Sequence, residues 1–210
     1  MELIVSNSIL DAWTKSLRLL QKNGVTIMDE DQILFEVLHL FLIFENPLDE
    51  EEKIRAINPA MANWMKTNFE QETLVPELGN AKSYGYRLRN YKGINQLQWV
   101  KNRLKTKPET KSATITLLIP DEDTSYIPCV SLIDFKIRNN TLLMTATCRS
   151  LDLAKKAVFN FLALKTIAEE IKNELALTNL TLNIHIISAH IYEKDLPLTK
   201  SIISTLQGRT

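Results

Sequence analysis

Two apolar segments rich in β-branched residues, Val130 to Arg138 and Thr141 to Thr147, are separated by the pair Asn139-Asn140. This arrangement constrains the fold more than any other feature of the chain. Asparagine tolerates positive φ, which a two-residue hairpin turn requires at both central positions. Pairing outward from that turn brings Cys129 opposite Ser150 and beside Arg149 at the open end of the hairpin. In an ideal ladder Cys129 and Arg149 would point to opposite faces, so both reach one cleft only through a bulge. A helix expected from Asp152 to about Leu175 would begin next to them. A guanidinium and a helix N-terminus both favour the thiolate form of a cysteine. Arg149, Ser150 and the first helical N–H groups would together seat a phosphate.

The rest of the chain predicts an α/β arrangement. Ile9 to Gln21 has helical spacing and is closed by Asn23-Gly24. A second, buried helix is expected from about Asp29 through LFEVLHLFLIF, stopped by Asn46-Pro47, with Glu36 inside its apolar pattern. Asp49 to Lys53 reads as a helix start or loop, and Met61 to Phe69 as one or two helical turns. Ile94 to Leu104 reads as a helix ended by Pro108. Ala113 to Ile119 and Leu180 to Ser188 read as strands, and a short helix is expected beyond Pro197. No repeat, linker or composition break divides residues 1–210, so a single domain is expected.

Composition narrows the functional classes. The formal net charge is zero, which argues against a nucleic-acid polymer or a membrane surface as partner but leaves room for one cationic pocket. Two cysteines cannot form a disulfide framework for 210 residues, and with no secretory signal a cytoplasmic location is expected. The apolar run Val37 to Phe44 is too short to span a bilayer. His39, His185 and His190 show no zinc-type spacing with either cysteine, so no metal is expected. Taken singly, Cys129 could be a small buried hydrophobe, Arg149 an ion-pair residue, Asn160 a backbone partner, and His190 and Tyr192 ordinary packing.

Taken together, these residues resemble the thymidylate synthase family. Pro128-Cys129 resembles its Pro-Cys nucleophile motif, and CRSLD from Cys148 to Asp152 its Gln-Arg-Ser-x-Asp motif. Phe159-Asn160 and His190-Ile191-Tyr192 match its Phe-Asn and His-x-Tyr elements. Tyr84-Gly85 followed by Arg89, Asn95-Gln96, and Glu36-Val37-Leu38 resemble upstream elements. Shared order and spacing over about Ile33 to Asp195 is more specific than any one motif.

The resemblance implies a thymidylate synthase-like fold, one mixed β-sheet packed by helices, in a sheet-to-sheet homodimer. It also implies roles. Cys129 would add to C6 of a pyrimidine nucleotide monophosphate, most simply dUMP. C5 would then accept a one-carbon unit from 5,10-methylenetetrahydrofolate or a related modified pterin. Glu36 and Tyr84 would serve the proton network and Asn160 would read the base edge. Arg149 and Ser150 would bind the 5′-phosphate, His190 and Tyr192 the sugar, and Asp152 would line the base and donor site.

The chain also departs from the family pattern. Val130 stands where the family has histidine, Cys148 where it has glutamine, and Lys111-Ser112 where it has paired arginines given to the partner subunit's phosphate site. Lys111 keeps a charge without the bidentate fork. The family's N-terminal arginine loop and C-terminal closing tail have no counterpart, which would leave the site wetter. UMP/CMP or dCMP hydroxymethylation, with water in place of hydride, is therefore an alternative, as is a non-catalytic nucleotide-binding protein. Asn160 favours uracil.

Overall fold

The computed structural model describes residues 1–124 and 126–207; Ser125 and residues 208–210 lie outside the described residues. In chain order the elements are β1 (Glu2–Val5), α1 (Ile9–Asn23), β2 (Val25–Asp29), β3 (Gln32–Glu45), α2 (Glu51–Ile57), α3 (Pro59–Glu70), β4 (Leu74–Val75) and β5 (Ala81–Lys82). They continue with α4 (Tyr84–Arg89), α5 (Gln96–Thr106), β6 (Ala113–Thr116), β7 (Val130–Arg138), β8 (Thr141–Asp152), α6 (Ala157–Glu174), β9 (Asn179–Tyr192) and α7 (Leu196–Gln207). Among the described residues, seven strands form a mixed sheet in the order β1-β3-β9-β8-β7-β6, with β2 added to β3. The predicted hairpin is β7–β8, and its asparagines have φ of 48° and 58°.

The helix expected from Asp29 to Phe44 is a strand instead. Acidic residues that suit a helix start form a tight turn, with Glu30 at φ 52°, and β3 runs for 14 residues beyond it. The Leu-rich run carries no breaker, so its spacing alone fits either state. Strand pairing decides it: β3 is flanked by β9 on one side and by β1 and β2 on the other. Glu36 accordingly sits on a strand. Further boundaries move, and β9 runs on to Tyr192 rather than ending at Ser188. β8 extends to Asp152 because it pairs with β9 that far, so α6 starts at Ala157 rather than beside Arg149. β6 ends at Thr116 rather than Ile119.

A kink crosses the sheet at one level. Ladder pairing skips from Leu38–Ser188 to Leu40–Ile186, and from Cys148–Ile186 to Ser150–Ser188, while β7 shifts register between Val130 and Leu132. His39 enters the left-handed region there, with φ 57°. Buried positions change parity on either side: Leu40, Ile186 and Cys148 are buried on one side, and Val37, Ala189 and Leu151 on the other. A side chain that would have pointed to one face is thereby re-aimed to the other. The bulge required by the position of Arg149 is thus present, and Arg149 rather than Ser150 faces Cys129, its N–H donating to Cys129 O at 2.8 Å.

α1, α5 and α6 pack on the sheet around a core that includes Trp13, Leu17, Leu40, Phe44, Phe135 and Phe161. Burying each large side chain of this kind stabilises the fold by about 1.5–3 kcal/mol. Trp13 also donates its indole N–H to Leu153 O at 2.7 Å, tying α1 to the segment that follows β8.

Candidate active site

Cys129 lies just before β7, half-buried against the core. The segment ahead of it is clamped by Arg149: Nη2 donates to Ile127 O at 2.7 Å and Nε to Pro128 O at 3.2 Å, while Nη1 reaches Ser150 Oγ at 3.1 Å. A planar guanidinium can hold two carbonyls and a hydroxyl at once and still keep N–H groups free. The loop further upstream is fixed by Arg87, a buried residue that donates to Asp123 at 2.6 and 3.0 Å and to Leu117 O at 2.7 Å. Asp123 in turn accepts from the Ile119 N–H at 2.7 Å.

Two phenols lie near Cys129. Tyr84, at the start of α4, is buried, and its hydroxyl accepts from the Val130 N–H at 3.0 Å. Burial, and then the nearby Cys129 sulfur, push its ionisation well above the ordinary tyrosine value, so it keeps its proton. The Tyr126 hydroxyl lies 3.8 Å from Cys129 Sγ. Tyr126 is a site residue that sequence reasoning missed; its only signal was a phenol three residues ahead of the cysteine. Cys148 is fully buried as the register partner of Val130, and burial pushes its thiol up.

A second group crosses the strands as a row. Glu36 pairs with His190, and His190 with Asp152, so the three side chains share a face. Ser188 Oγ donates to Glu36 Oε1. Burial raises Asp152, opposed by His190 and by the N–H groups of Ala154 and Lys155, which it accepts at 2.9 and 3.3 Å. Burial lowers His190, opposed by Asp152. Tyr192 meets His190 edge-on, with centroids 5.3 Å apart. Burial, with Asp152 and Cys129 among its neighbours, pushes the Tyr192 hydroxyl up.

Asn160 lies in the first turn of α6 and is 3% exposed. Its Nδ2 donates to Lys156 O at 2.9 Å, an assignment fixed by chemistry because a carbonyl can only accept. Its Oδ1 has no hydrogen-bond partner among the described residues. Leaving a buried amide oxygen without a partner costs about 1–3 kcal/mol, so the position is not explained by stability.

The expected helix N-terminus does not join Arg149 and Ser150, because the Asp152 carboxylate and a turn intervene before Ala157. Lys111 is exposed ahead of β6, which pairs Ala113 with Phe135, toward the hairpin turn and away from Cys129. Within one chain it does not join the other site residues. No group of three or more His, Cys, Asp or Glu is placed to hold a metal among the described residues. No helix among them is long and apolar enough to cross a membrane.

A half-buried thiol with a phenol hydroxyl 3.8 Å away, a guanidinium that holds the segment ahead of it, and a cross-strand row of titratable groups at the same end of the sheet form a candidate site for a small polar substrate. Comparison with known proteins agrees with that class. The thymidylate synthase family model matches residues 9–207, and the chain belongs to that family. A protein of Methanococcoides burtonii named "Putative thymidylate synthase" is 30% identical, over 98% of this chain and 96% of its own length. Proteins of the same name from Methanosarcina mazei and Methanothermobacter thermautotrophicus are 29% and 30% identical, over 96% and 94% of this chain and 94% and 96% of theirs. The chain is a thymidylate synthase-like enzyme with a mixed α/β fold.

Proposed function

We propose that this enzyme adds Cys129 to C6 of a pyrimidine nucleotide monophosphate, with dUMP as the preferred substrate, and so makes C5 able to accept a one-carbon unit. The observation that carries the reading is the gathering of Cys129, Tyr84, Arg149, Glu36, Asp152 and His190 at one end of the sheet, with the nucleophile's carbonyl held by Arg149 at 2.8 Å. Addition of sulfur at C6 builds negative charge on the base O4, which protonated groups can stabilise. Glu36 and Tyr84 are assigned that proton traffic. Arg149 and Ser150 are assigned the phosphate through the guanidinium N–H groups left free, His190 and Tyr192 the sugar hydroxyl, and Asp152 the border between base and donor.

Asn160 supports uracil. Its nitrogen is committed to Lys156 O, which leaves the amide oxygen as the free acceptor. Uracil presents N3–H as a donor, whereas cytosine N3 is itself an acceptor.

The donor assigned to the reaction is 5,10-methylenetetrahydrofolate or a related modified pterin. A groove of about 1010 Å³ supports such a group: Leu198 and Ile202 offer apolar surface, and Arg18 and Lys53 offer charge for an acidic tail. The donor supplies the one-carbon unit and, where the product is a methyl group, the hydride. We further propose one domain, a cytoplasmic location, and a homodimer through the sheet face that leaves Leu3 and Leu132 exposed, with Lys111 serving the partner subunit's phosphate site.

Tritium release from 5-labelled dUMP, UMP, dCMP and CMP, with and without methylene-folate, tests the reading. Release from dUMP that disappears in Cys129→Ser is expected. Tight nucleotide binding with no release from any of the four would defeat it. Product mass distinguishes methyl from hydroxymethyl, and a monomer in sedimentation at micromolar concentration would remove the dimer and the Lys111 role.

A further inference from the structure

Tyr126 stands outside the roles assigned above, yet its hydroxyl is 3.8 Å from the sulfur on which the chemistry depends. It lies on the segment that Arg149 clamps through Ile127 O and Pro128 O, so the contacts that place Cys129 also place the phenol. The two tyrosines nearest Cys129 are not equivalent. Tyr84 is engaged by the Val130 N–H at 3.0 Å, whereas the Tyr126 hydroxyl has the sulfur itself as its partner. A thiolate has no proton to give, so between phenol and thiolate the phenol must be the donor. Burial and the adjacent Cys129 sulfur push the Tyr126 hydroxyl above the ordinary tyrosine value, which keeps it a donor at neutral pH.

We propose that Tyr126 is a further catalytic residue, donating its O–H to Cys129 Sγ and steadying the sulfur anion before it attacks and as it departs; this rests on Cys129 being the nucleophile. In the addition step a sulfur lone pair becomes the S–C6 bond, the C5=C6 π pair shifts toward O4, and the hydrogen bond to sulfur weakens. In the elimination step the pair at C5 re-forms C5=C6, the S–C6 pair returns to sulfur, and the hydrogen bond re-forms. The phenol gains and loses no proton over the cycle, and no oxidant or further reactant is needed. A hydrogen bond to an anion is stronger than one to a neutral sulfur, so its contribution appears in the thiolate population and in the leaving ability of the sulfur.

The test is alkylation of Cys129 by iodoacetamide in the full chain, followed by peptide mass spectrometry, for wild type, Tyr126→Phe and Tyr126→Gln. At pH 7 Tyr126→Phe should react about tenfold more slowly than wild type, and the difference should narrow as the pH is raised to 10. Tyr126→Gln keeps an N–H donor and should retain more of the pH 7 rate than Tyr126→Phe. Rates within twofold at pH 7, an equal loss at both pH values, or no difference between the two variants would overturn the proposal. Iodoacetamide needs no nucleotide, so a chain inactive on all pyrimidine nucleotides would defeat the proposed reaction while leaving this result to stand by itself.

Discussion

Asp152 and His190 are register partners on the parallel strands β8 and β9, and burial drives both toward their neutral forms despite their mutual attraction. The consequences for stability have opposite signs. His190 is lowered from 6.5, so the unfolded chain binds more protons than the folded one between the lowered value and 6.5. Stability from His190 is present above 6.5 and is lost as pH falls through that window. Asp152 is raised from 3.8, so its contribution is present below 3.8 and is lost as pH rises to the raised value. His190→Gln should remove the first slope: urea midpoints measured from pH 7.5 down to 5 should fall more steeply for wild type than for the variant. Parallel curves would show that His190 does not titrate differently in the folded chain.

Arg149→Lys keeps the charge and removes the fork that holds Ile127 O and Pro128 O at once. A misplacement of the nucleophile by about 1 Å can cost on the order of 100-fold in rate. Steady-state kinetics on dUMP should show kcat lowered by about that factor. KM should rise as well, because the proposed phosphate contact weakens. An unchanged kcat would mean that the clamp does not position Cys129.

The sequence made the hairpin legible because Asn139-Asn140 punctuates it and because β-branched residues fill both arms. It also made the bulge necessary, since Cys129 and Arg149 could not otherwise share a side. It did not disclose β3, because a Leu-rich run of 14 residues without glycine or proline has no local feature that separates a buried helix from a central strand. Glu36, expected on a helix, therefore lies on a strand, and its cross-strand relation to His190 is visible only in the fold. The late start of α6 was hidden for a related reason: β8 continues as long as β9 pairs with it, a long-range fact. Tyr126 had no motif around it, and its meaning comes from the 3.8 Å approach to sulfur.

Asn160→Asp should move base selection toward cytosine. The free Oδ1 of Asn160 suits uracil N3–H, and a carboxyl group at the same place can present an O–H to cytosine N3 or accept from its exocyclic amine. One gained and one lost hydrogen bond at a buried edge are worth about 1–3 kcal/mol, or roughly ten- to a hundredfold in relative kcat/KM. The ratio of tritium release from dCMP and dUMP measures the change. A ratio that stays at the wild-type value would take Asn160 out of base recognition.

Arg87 and Asp123 test whether the loop before Cys129 is held from a distance. Both side chains are almost fully buried, at 1% and 4% exposure, and the guanidinium meets the carboxylate at 2.6 and 3.0 Å. Removing one member of such a pair leaves the other charge buried without its counterpart, which typically costs about 3–5 kcal/mol. Arg87→Met should therefore lower the urea midpoint sharply, and Asp123→Asn should lower it too, because Arg87 loses its counter-charge. The double variant Arg87→Met with Asp123→Asn should recover part of that stability, since neither residue then carries an unpaired buried charge. Recovery of stability without recovery of dUMP tritium release would show that the pair orders the path to Tyr126 and Cys129 as well as stabilising the fold. Additive losses in the double variant would mean that the two residues act independently, and that the loop is held by other contacts.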